Sequence, residues 1–123
     1  MNLIELIKAK AKQNHMRIVL PEGDEERTLK AADIAINEGL AQIILIGNRK
    51  KILSDALSSG LTNIEKAVII DPLNHPKKEA YINLMLEIRK SKGLTYKEAA
   101  KLIEDPLYLG TLMIKSGDAD GEV

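Results

Sequence analysis

Arg89 is the first candidate for binding a ligand, because Lys90 and Lys92 accompany it in the stretch IRKSKG. A guanidinium is well suited to phosphate, since its planar fork donates hydrogen bonds to two oxygens at once. Cations in the last turn also stabilise a helix, because the carboxyl end of a helix carries partial negative charge. The spacing alone favours this helix-ending role, and a phosphate clamp centred on Arg89 is the alternative.

A second arginine, Arg27, lies in the stretch LPEGDEERT, directly after a short apolar run. Gly23 permits a tight turn there, and the N-terminus of a following helix could hold an anion. Asp24, Glu25 and Glu26 already place negative charge at that N-terminus, which favours a structural role. A cation is unfavourable in this first turn, so Arg27 indicates a partner carboxylate or a ligand.

Two further stretches have weaker chemical signals. GNRKK has no glycine-rich phosphate-loop pattern, so Asn48 is predicted to cap a solvent-exposed helix. SGDADGEV places Ser116, Asp118 and Asp120 at the spacing of a calcium loop. That loop needs a carboxylate where Ser116 stands and a later bidentate Glu, which does not follow. We therefore predict a polar turn after a helix that ends at Gly117, and no metal site.

The composition excludes several classes of chemistry. The chain has 123 residues and no cysteine, so disulfides, thiolate catalysis and zinc–thiolate sites are excluded. A net charge of zero and the absence of Phe and Trp argue against a nucleic-acid partner. The opening segment contains Glu5 and Lys8 and is neither a secretory signal nor a membrane span. His15 and His75 lack the flanking residues of a metal site or a nucleophile–base pair.

Three apolar runs, at residues 17–20, 42–46 and 67–70, predict the strands that must position these groups. The runs are continuous rather than alternating, which indicates burial on both faces of a sheet. Apolar residues at helical spacing lie between and after them. The prediction is an α/β fold in which helices cover both faces of a parallel sheet, in three layers.

Ligands bind parallel sheets beyond the carboxyl ends of the strands, so the loops at residues 21–27, 47–51 and 71–76 are the expected site. After the third strand, a long helix is predicted from Pro76 to Gly93, with apolar residues on its buried face. These are Ala80, Leu84 and Ile88. Other helix-end signals are Asp24 as an N-cap, Thr95-x-x-Glu98 as a capping box, and Asp105-Pro106 as a helix start.

Four stretches resemble, in order and spacing, the N-terminal part of the phosphate acetyltransferase (phosphotransacetylase) family. They are RIVLPEGDEERTLKAA, LAQIILIGN, KKEAYINLMLEIRKSKGLTYKEA and GDADGEV. In the family the segment that matches DGEV continues as a strand. The resemblance therefore implies that residues 1–123 are the N-terminal part of the first α/β domain of a two-domain acyltransferase. The domain is then incomplete, and its last strand is cut at Val123.

The family transfers an acetyl group between coenzyme A and phosphate: acetyl-CoA + phosphate ⇌ acetyl phosphate + CoA. The resemblance implies a homodimer whose site lies in the cleft between two domains, and a cytoplasmic location is expected. Coenzyme A is a substrate, so no cofactor is expected. Arg89 matches an arginine that the family uses to hold coenzyme A, and Arg27 matches an arginine near the cleft, taken here as a second coenzyme A ligand.

No catalytic residue is expected in this segment. The serine, arginine and aspartate that the family is thought to use for catalysis come from near its C-terminus. The chain by itself is therefore expected to be inactive.

Three other interpretations remain. The first is a phosphate butyryltransferase or a similar enzyme for a longer acyl group. The second is a non-catalytic acetyl-CoA-sensing domain of the kind fused to malic enzymes, although the matching blocks begin the chain with no oxidoreductase domain before them. The third is an α/β domain of unrelated function.

Overall fold

A computed structural model describes residues 2–11 and 16–123. The helices are α1 (Leu3–Ala11), α2 (Glu26–Asn37), α3 (Arg49–Ser58), α4 (Lys78–Ile88), α5 (Tyr96–Leu102) and α6 (Pro106–Ser116). The strands are β1 (Arg17–Leu20), β2 (Gln42–Ile46), β3 (Val68–Ile70) and β4 (Gly121–Glu122). Short 3₁₀ turns lie at Ile64–Lys66 and Lys90–Lys92. His15 lies outside the described residues.

The four strands form one sheet in the order β3-β2-β1-β4, and every pair of neighbours is parallel. The prediction of parallel pairing among the three apolar runs is confirmed. Ile18 of β1 lies opposite Ile43 of β2, and Ile44 of β2 lies opposite Val68 of β3. The last strand joins the free edge of β1, with Gly121 opposite Ile18.

Each face of the sheet is covered by helices, which confirms the three-layer prediction. Alternate strand side chains point to opposite faces. Ile18, Leu20 and their neighbours on β2 pack with α1, α2 and α3. Val19, Ile44 and Ile46 pack with α4, α5 and α6. We call these the first and the second helical layer.

The burial of β3 differs from the prediction. Val68 is 40% exposed, and Ile69 and Ile70 are only half-buried, whereas residues 43–46 of β2 are buried. The sheet order explains the difference, because β3 is an edge strand with one neighbour. An apolar run therefore predicted the strand correctly, and its burial on both faces wrongly.

The predicted face of α4 is also wrong. The buried residues are Tyr81, Ile82 and Met85, while Ile88 is 45% exposed. Ala80 is exposed and Leu84 is half-buried. The stretch AYINLMLEI is apolar nearly all round, so its spacing fits several helix faces equally well. Packing against α5 and α6 in the second layer selects the face.

Two helix boundaries also differ from the predictions. The helix expected from Pro76 to Gly93 begins at Lys78 and stops at Ile88, because Arg89 leaves helical geometry at φ −104° and ψ 23°. A separate 3₁₀ turn follows, and Gly93 ends it with a φ of 65°. The expected caps at Asn48, Thr95 and Asp105 are confirmed.

Candidate functional site

Hydrogen bonds tie the loops after β1 and β2 to the carboxyl edge of the sheet. The N–H of Gly23 donates to the Ile46 carbonyl oxygen at 3.1 Å, and the N–H of Gly47 donates to the Ile70 carbonyl oxygen at 2.9 Å. A Cβ at position 23 would lie 2.6 Å from the Ile46 oxygen. Each loop thus lies against the end of the neighbouring strand. At position 23 only a glycine allows the loop backbone to come this close to the Ile46 carbonyl oxygen.

The first loop leads into α2 through Glu25, and Asp24 is not the N-cap that the sequence predicted. The Glu25 carboxylate accepts hydrogen bonds from the Thr28 N–H at 3.0 Å and from the Thr28 hydroxyl at 3.3 Å. The backbone N–H groups of Thr28 and Arg27 lower the pKa of Glu25, because they donate hydrogen bonds to its carboxylate. The positive end of α2 is therefore already occupied by a carboxylate of the chain itself.

Arg27 lies in the first turn of α2, and its side chain is exposed. Across residues 2–11 and 16–123, no carboxylate forms a salt bridge with it. The positive charge of Arg27 contributes least among the interactions that lower the pKa of Glu25. The structure thus places Arg27 at the carboxyl edge, where its guanidinium could bind an anion.

The loop after β2 is a helix cap. Asn48 accepts a hydrogen bond from the Lys51 N–H at 2.9 Å. The Lys51 ammonium pairs with Asp55 at 3.0 Å and lies 3.9 Å from Asp24. These contacts support a structural role for GNRKK, because the Lys51 ammonium already pairs with carboxylates of the chain.

Helix α4 brings Arg89 to the carboxyl edge. Just before its first turn, the Lys77 ammonium donates to Asp118 at 2.7 Å. Asp118 lies near the amino edge, since the neighbouring Asp120 carboxylate accepts from the N–H of Arg17, the first residue of β1, at 2.7 Å. Helix α4 therefore runs in the direction of the strands and ends, at Arg89, near their carboxyl ends.

Arg89 lies over an aromatic ring and lines a mainly apolar groove. Its guanidinium carbon is 5.7 Å from the centre of the Tyr108 ring, within the range of a cation–π contact. The groove between α4 and α6 has a volume of about 470 Å³. Its lining residues are Met85, Ile88, Arg89, Leu107, Tyr108, Thr111, Leu112 and Lys115. We call this the α4–α6 groove.

The structure places both predicted arginines at one edge of the sheet, on opposite faces. Arg27 begins a helix of the first layer, and Arg89 follows a helix of the second layer. Both residues are candidates from the sequence, whereas the contact between Arg89 and Tyr108 was not predicted. A tyrosine nineteen positions away has no local signal, because the pairing depends on how α4 and α6 pack.

The acidic stretch at residues 116–120 forms a network at the amino edge. Asp118 accepts hydrogen bonds from the Tyr81 hydroxyl at 2.6 Å and from the Ser116 hydroxyl at 2.9 Å, besides its pair with Lys77. Asp120 pairs with Arg17 at 3.0 Å. Both carboxylates thus bind donors of the chain itself. In the part of the chain that the structure describes, no three His, Asp or Glu side chains cluster in a way that could hold a metal ion.

We expect this network to make stability depend on pH. Lys77, then Tyr81 and Ser116, lower the pKa of Asp118 to about 2. The carboxylate therefore contributes stability above its unfolded pKa, near 4, which is lost as the pH falls through about 2. At neutral pH, Asp118→Asn should lower the free energy of unfolding by about 1–2 kcal/mol, allowing for the exposure of Lys77.

Urea unfolding of both proteins between about pH 7 and pH 2.5 measures this effect. The difference in unfolding free energy should shrink as the pH falls, because protonated Asp118 resembles asparagine in having no charge and one strong acceptor oxygen, which can keep the hydrogen bond from Tyr81. A difference that stays constant over this range would contradict the electrostatic explanation. Lys77→Gln should show the same pH dependence, because it removes the other charge of the pair.

His75 lies outside this network. Its ring centre is 5.6 Å from that of Tyr81, and its buried Nε2 has no hydrogen-bond partner among the described residues. Burial, and then the charge of Lys78, lower the pKa of His75. Tyr81 lies in the first turn of α4, so His75 is at the opposite end of that helix from Arg89.

Fold and site together define a three-layer parallel α/β protein with the candidate residues Arg27 and Arg89 near the carboxyl edge of its sheet. The chain belongs to the phosphate acetyl/butaryl transferase family, whose model matches residues 2–123. The resemblance of the four stretches is thus confirmed. In the described ranges, no helix has the length and apolar character that crossing a membrane requires.

Individual relatives agree with this membership. A phosphate acetyltransferase from Thermoanaerobacterium thermosaccharolyticum is 49% identical over 123 residues, which are 100% of this chain and 37% of that protein. One from Acetivibrio thermocellus is 45% identical over 123 residues, or 36% of that protein. A phosphotransacetylase from Streptococcus pyogenes matches in structure with a TM-score of 0.85 and 30% identity, covering 99% of this chain and 37% of that one. The chain thus spans little more than a third of the length of these relatives.

Proposed function

We propose that this chain is the N-terminal part of an enzyme that transfers an acetyl group between coenzyme A and phosphate. The observation that carries the proposal is the position of Arg89. It lies at the carboxyl edge, over Tyr108, in the IRKSKG block that matches the family's coenzyme A arginine. The relatives named phosphate acetyltransferase support the same reaction.

In the proposed reaction, the thiol of coenzyme A loses its proton to a base, and its sulfur attacks the carbonyl carbon of acetyl phosphate. A carbon–sulfur bond forms, the carbon–oxygen bond to phosphate breaks, and inorganic phosphate leaves. Preorganised cations and hydrogen-bond donors must stabilise the charge on the carbonyl and phosphate oxygens. We assign Arg89, with Arg27 as the second candidate, to binding coenzyme A, and we assign no residue of this chain to the base.

Coenzyme A is a substrate in this reaction, so the proposal needs no cofactor. The homodimer and the cytoplasmic location that were expected from the sequence belong to the same proposal. A second candidate substrate is a longer acyl phosphate, because the description of the family model names butaryl as well as acetyl transfer.

The proposal is tested with the complete protein encoded by the gene. Purified protein is mixed with coenzyme A and either acetyl phosphate or butyryl phosphate, and the thioester is measured by its absorbance. Faster turnover of acetyl phosphate would support the proposal, and faster turnover of butyryl phosphate would favour the second candidate. Thioester formation from neither would overturn the proposed function.

A further inference from the structure

The loop between β1 and α2, at residues 21–25, is held against the sheet at its middle residue. Gly23 is buried, and its N–H donates to the Ile46 carbonyl oxygen at 3.1 Å. Ile46 ends β2, which lies between β1 and β3 and is buried along residues 43–46. The loop therefore rests on a close-packed part of the sheet, which has little freedom to move.

Position 23 has no space for a side chain. A Cβ there would lie 2.6 Å from the Ile46 oxygen, 3.0 Å from the Ile46 nitrogen and 3.1 Å from the Leu45 Cβ. The two nearest atoms belong to the backbone of β2, which is paired with β1 on one side and with β3 on the other. An alanine would therefore push the loop away from β2, because β2 cannot retreat.

The cap of α2 connects this loop to Arg27. Glu25 lies two residues after Gly23, and its carboxylate accepts a hydrogen bond from the Thr28 N–H at 3.0 Å. Thr28 is only 6% exposed, so the cap lies against the protein interior. A loop displaced at Gly23 would move Glu25 or break its bond to the first turn of α2, and Arg27 lies in that turn.

Arg27 depends on this turn for its position. Its side chain is exposed and forms no salt bridge in the part of the molecule that the structure describes. The backbone of the first turn therefore sets where the guanidinium lies before a ligand binds. A fixed backbone reduces the entropy that the side chain loses on binding, which increases affinity.

The sheet topology puts this turn beside the expected ligand position. From β1 the chain continues to β2 and β3 on one side, and it returns as β4 on the other side of β1. Such a reversal of strand order is a topological switch point, and ligands bind beyond the carboxyl ends of the strands there. The loop after β1 borders the switch point, and Arg27 begins the helix that this loop leads into.

We propose that Gly23 is a positioning residue: its close approach to β2 holds the first turn of α2 where Arg27 binds an anionic group of coenzyme A. This inference rests on the proposed function, in which Arg27 is the second candidate for binding coenzyme A. It gives Gly23 a role in substrate affinity, in addition to permitting the turn.

A purely structural role for Gly23 is the competing explanation. In that case Gly23→Ala would lower stability and leave the affinity of the folded protein unchanged. Gly39→Ala is the matched control, because Gly39 follows the other end of α2 with a φ of 64°. A Cβ at position 39 meets no atom within 4 Å, so alanine strains the backbone there without contacting the loop after β1.

The test is a double-mutant cycle on the complete protein, with coenzyme A binding measured by calorimetry. Gly23→Ala should weaken binding about tenfold, and Arg27→Ala should weaken it by at least as much. The double variant should bind as Arg27→Ala does, because Gly23 acts through Arg27. Gly39→Ala should lower the melting temperature and bind coenzyme A as the wild type does.

Glu25→Ala tests the same connection if Gly23→Ala fails to fold. Removing the negative charge of Glu25 would by itself strengthen the binding of an anion. Weaker coenzyme A binding by this variant would therefore indicate that Arg27 has lost its position. The same substitution in the Arg27→Ala background should not weaken binding further.

Unchanged coenzyme A affinity in folded Gly23→Ala would overturn the inference, and so would unchanged affinity in Arg27→Ala. Losses that multiply to about a hundredfold in the double variant would also overturn it, since the two residues would then act independently. Calorimetry needs no turnover, so coupled losses without thioester formation would support the role of Gly23 while the proposed reaction failed. Acetyl transfer by a protein with uncoupled variants would overturn this inference alone.

Discussion

Purified by itself, the 123-residue chain is expected to form no measurable acetyl-CoA from acetyl phosphate and coenzyme A. A thiol is mostly protonated at neutral pH, so its attack needs a base or a strong positive field. His75, the one histidine in the described ranges, packs against Tyr81 at the far end of α4 from Arg89. Arg27 and Arg89 belong to helices on opposite faces of the sheet and are both assigned to binding coenzyme A, so neither supplies the base.

The expected loss is large because several contributions are missing together. General acid–base catalysis contributes about 10²–10⁴-fold, and one oxyanion donor about 10²–10³-fold. The resemblance to the family assigns the serine, arginine and aspartate of catalysis to a C-terminal part, and this chain spans 37% of the length of one relative. The chain and the complete protein should be assayed at equal molar concentration, both from a host without its own enzyme. Activity of the chain above a blank would contradict the prediction.

The fold was predictable because its strands have strong local signals. Residues 43–46 are four consecutive apolar β-type residues, and such a run predicts a strand, as the run at residues 67–70 also does. The phase of α4 was not predictable, because apolar residues surround that helix and only packing chooses a face. The apolar runs also did not predict the order of the strands in the sheet. That order leaves Val68 on an edge, which explains its exposure.

The sequence supplied the candidate residues of the site, whose role stays a prediction, and it did not supply their geometry. Arg27 stood out because a cation is unfavourable in the first turn of a helix. The spacing at Arg89 favoured a helix-ending role, and only the family resemblance indicated a coenzyme A ligand. The cation–π pair with Tyr108 and the α4–α6 groove arise when two helices, separated by α5 in the chain, pack side by side. Asp118 and Asp120 suggested a metal loop by spacing, while in the fold they bind Lys77 and Arg17.

Arg89→Ala is expected to raise the KM for coenzyme A in the complete protein by about tenfold to a hundredfold. A hydrogen bond to a charged group is worth about 1.5–3 kcal/mol, and each 1.4 kcal/mol corresponds to a factor of ten. The KM for acetyl phosphate should change much less, because Arg89 is assigned to the nucleotide substrate. Arg89→Lys should recover only part of the affinity, since an ammonium replaces a two-pronged donor with a point charge.

The same substitution separates a binding role from a helix-ending role. A cation at a helix C-terminus contributes about 0.3–1 kcal/mol to stability, which lysine would supply as well as arginine. Lys92→Ala is the matched control, because Lys92 is exposed in the same basic cluster and lies outside the lining of the α4–α6 groove. It should leave both KM values unchanged. If Arg89→Ala instead lowers the melting temperature while coenzyme A kinetics stay as in the wild type, Arg89 is a structural residue that stabilises the end of α4. Lysine at position 89 would then restore stability fully, whereas a coenzyme A ligand would show incomplete rescue of KM at full stability.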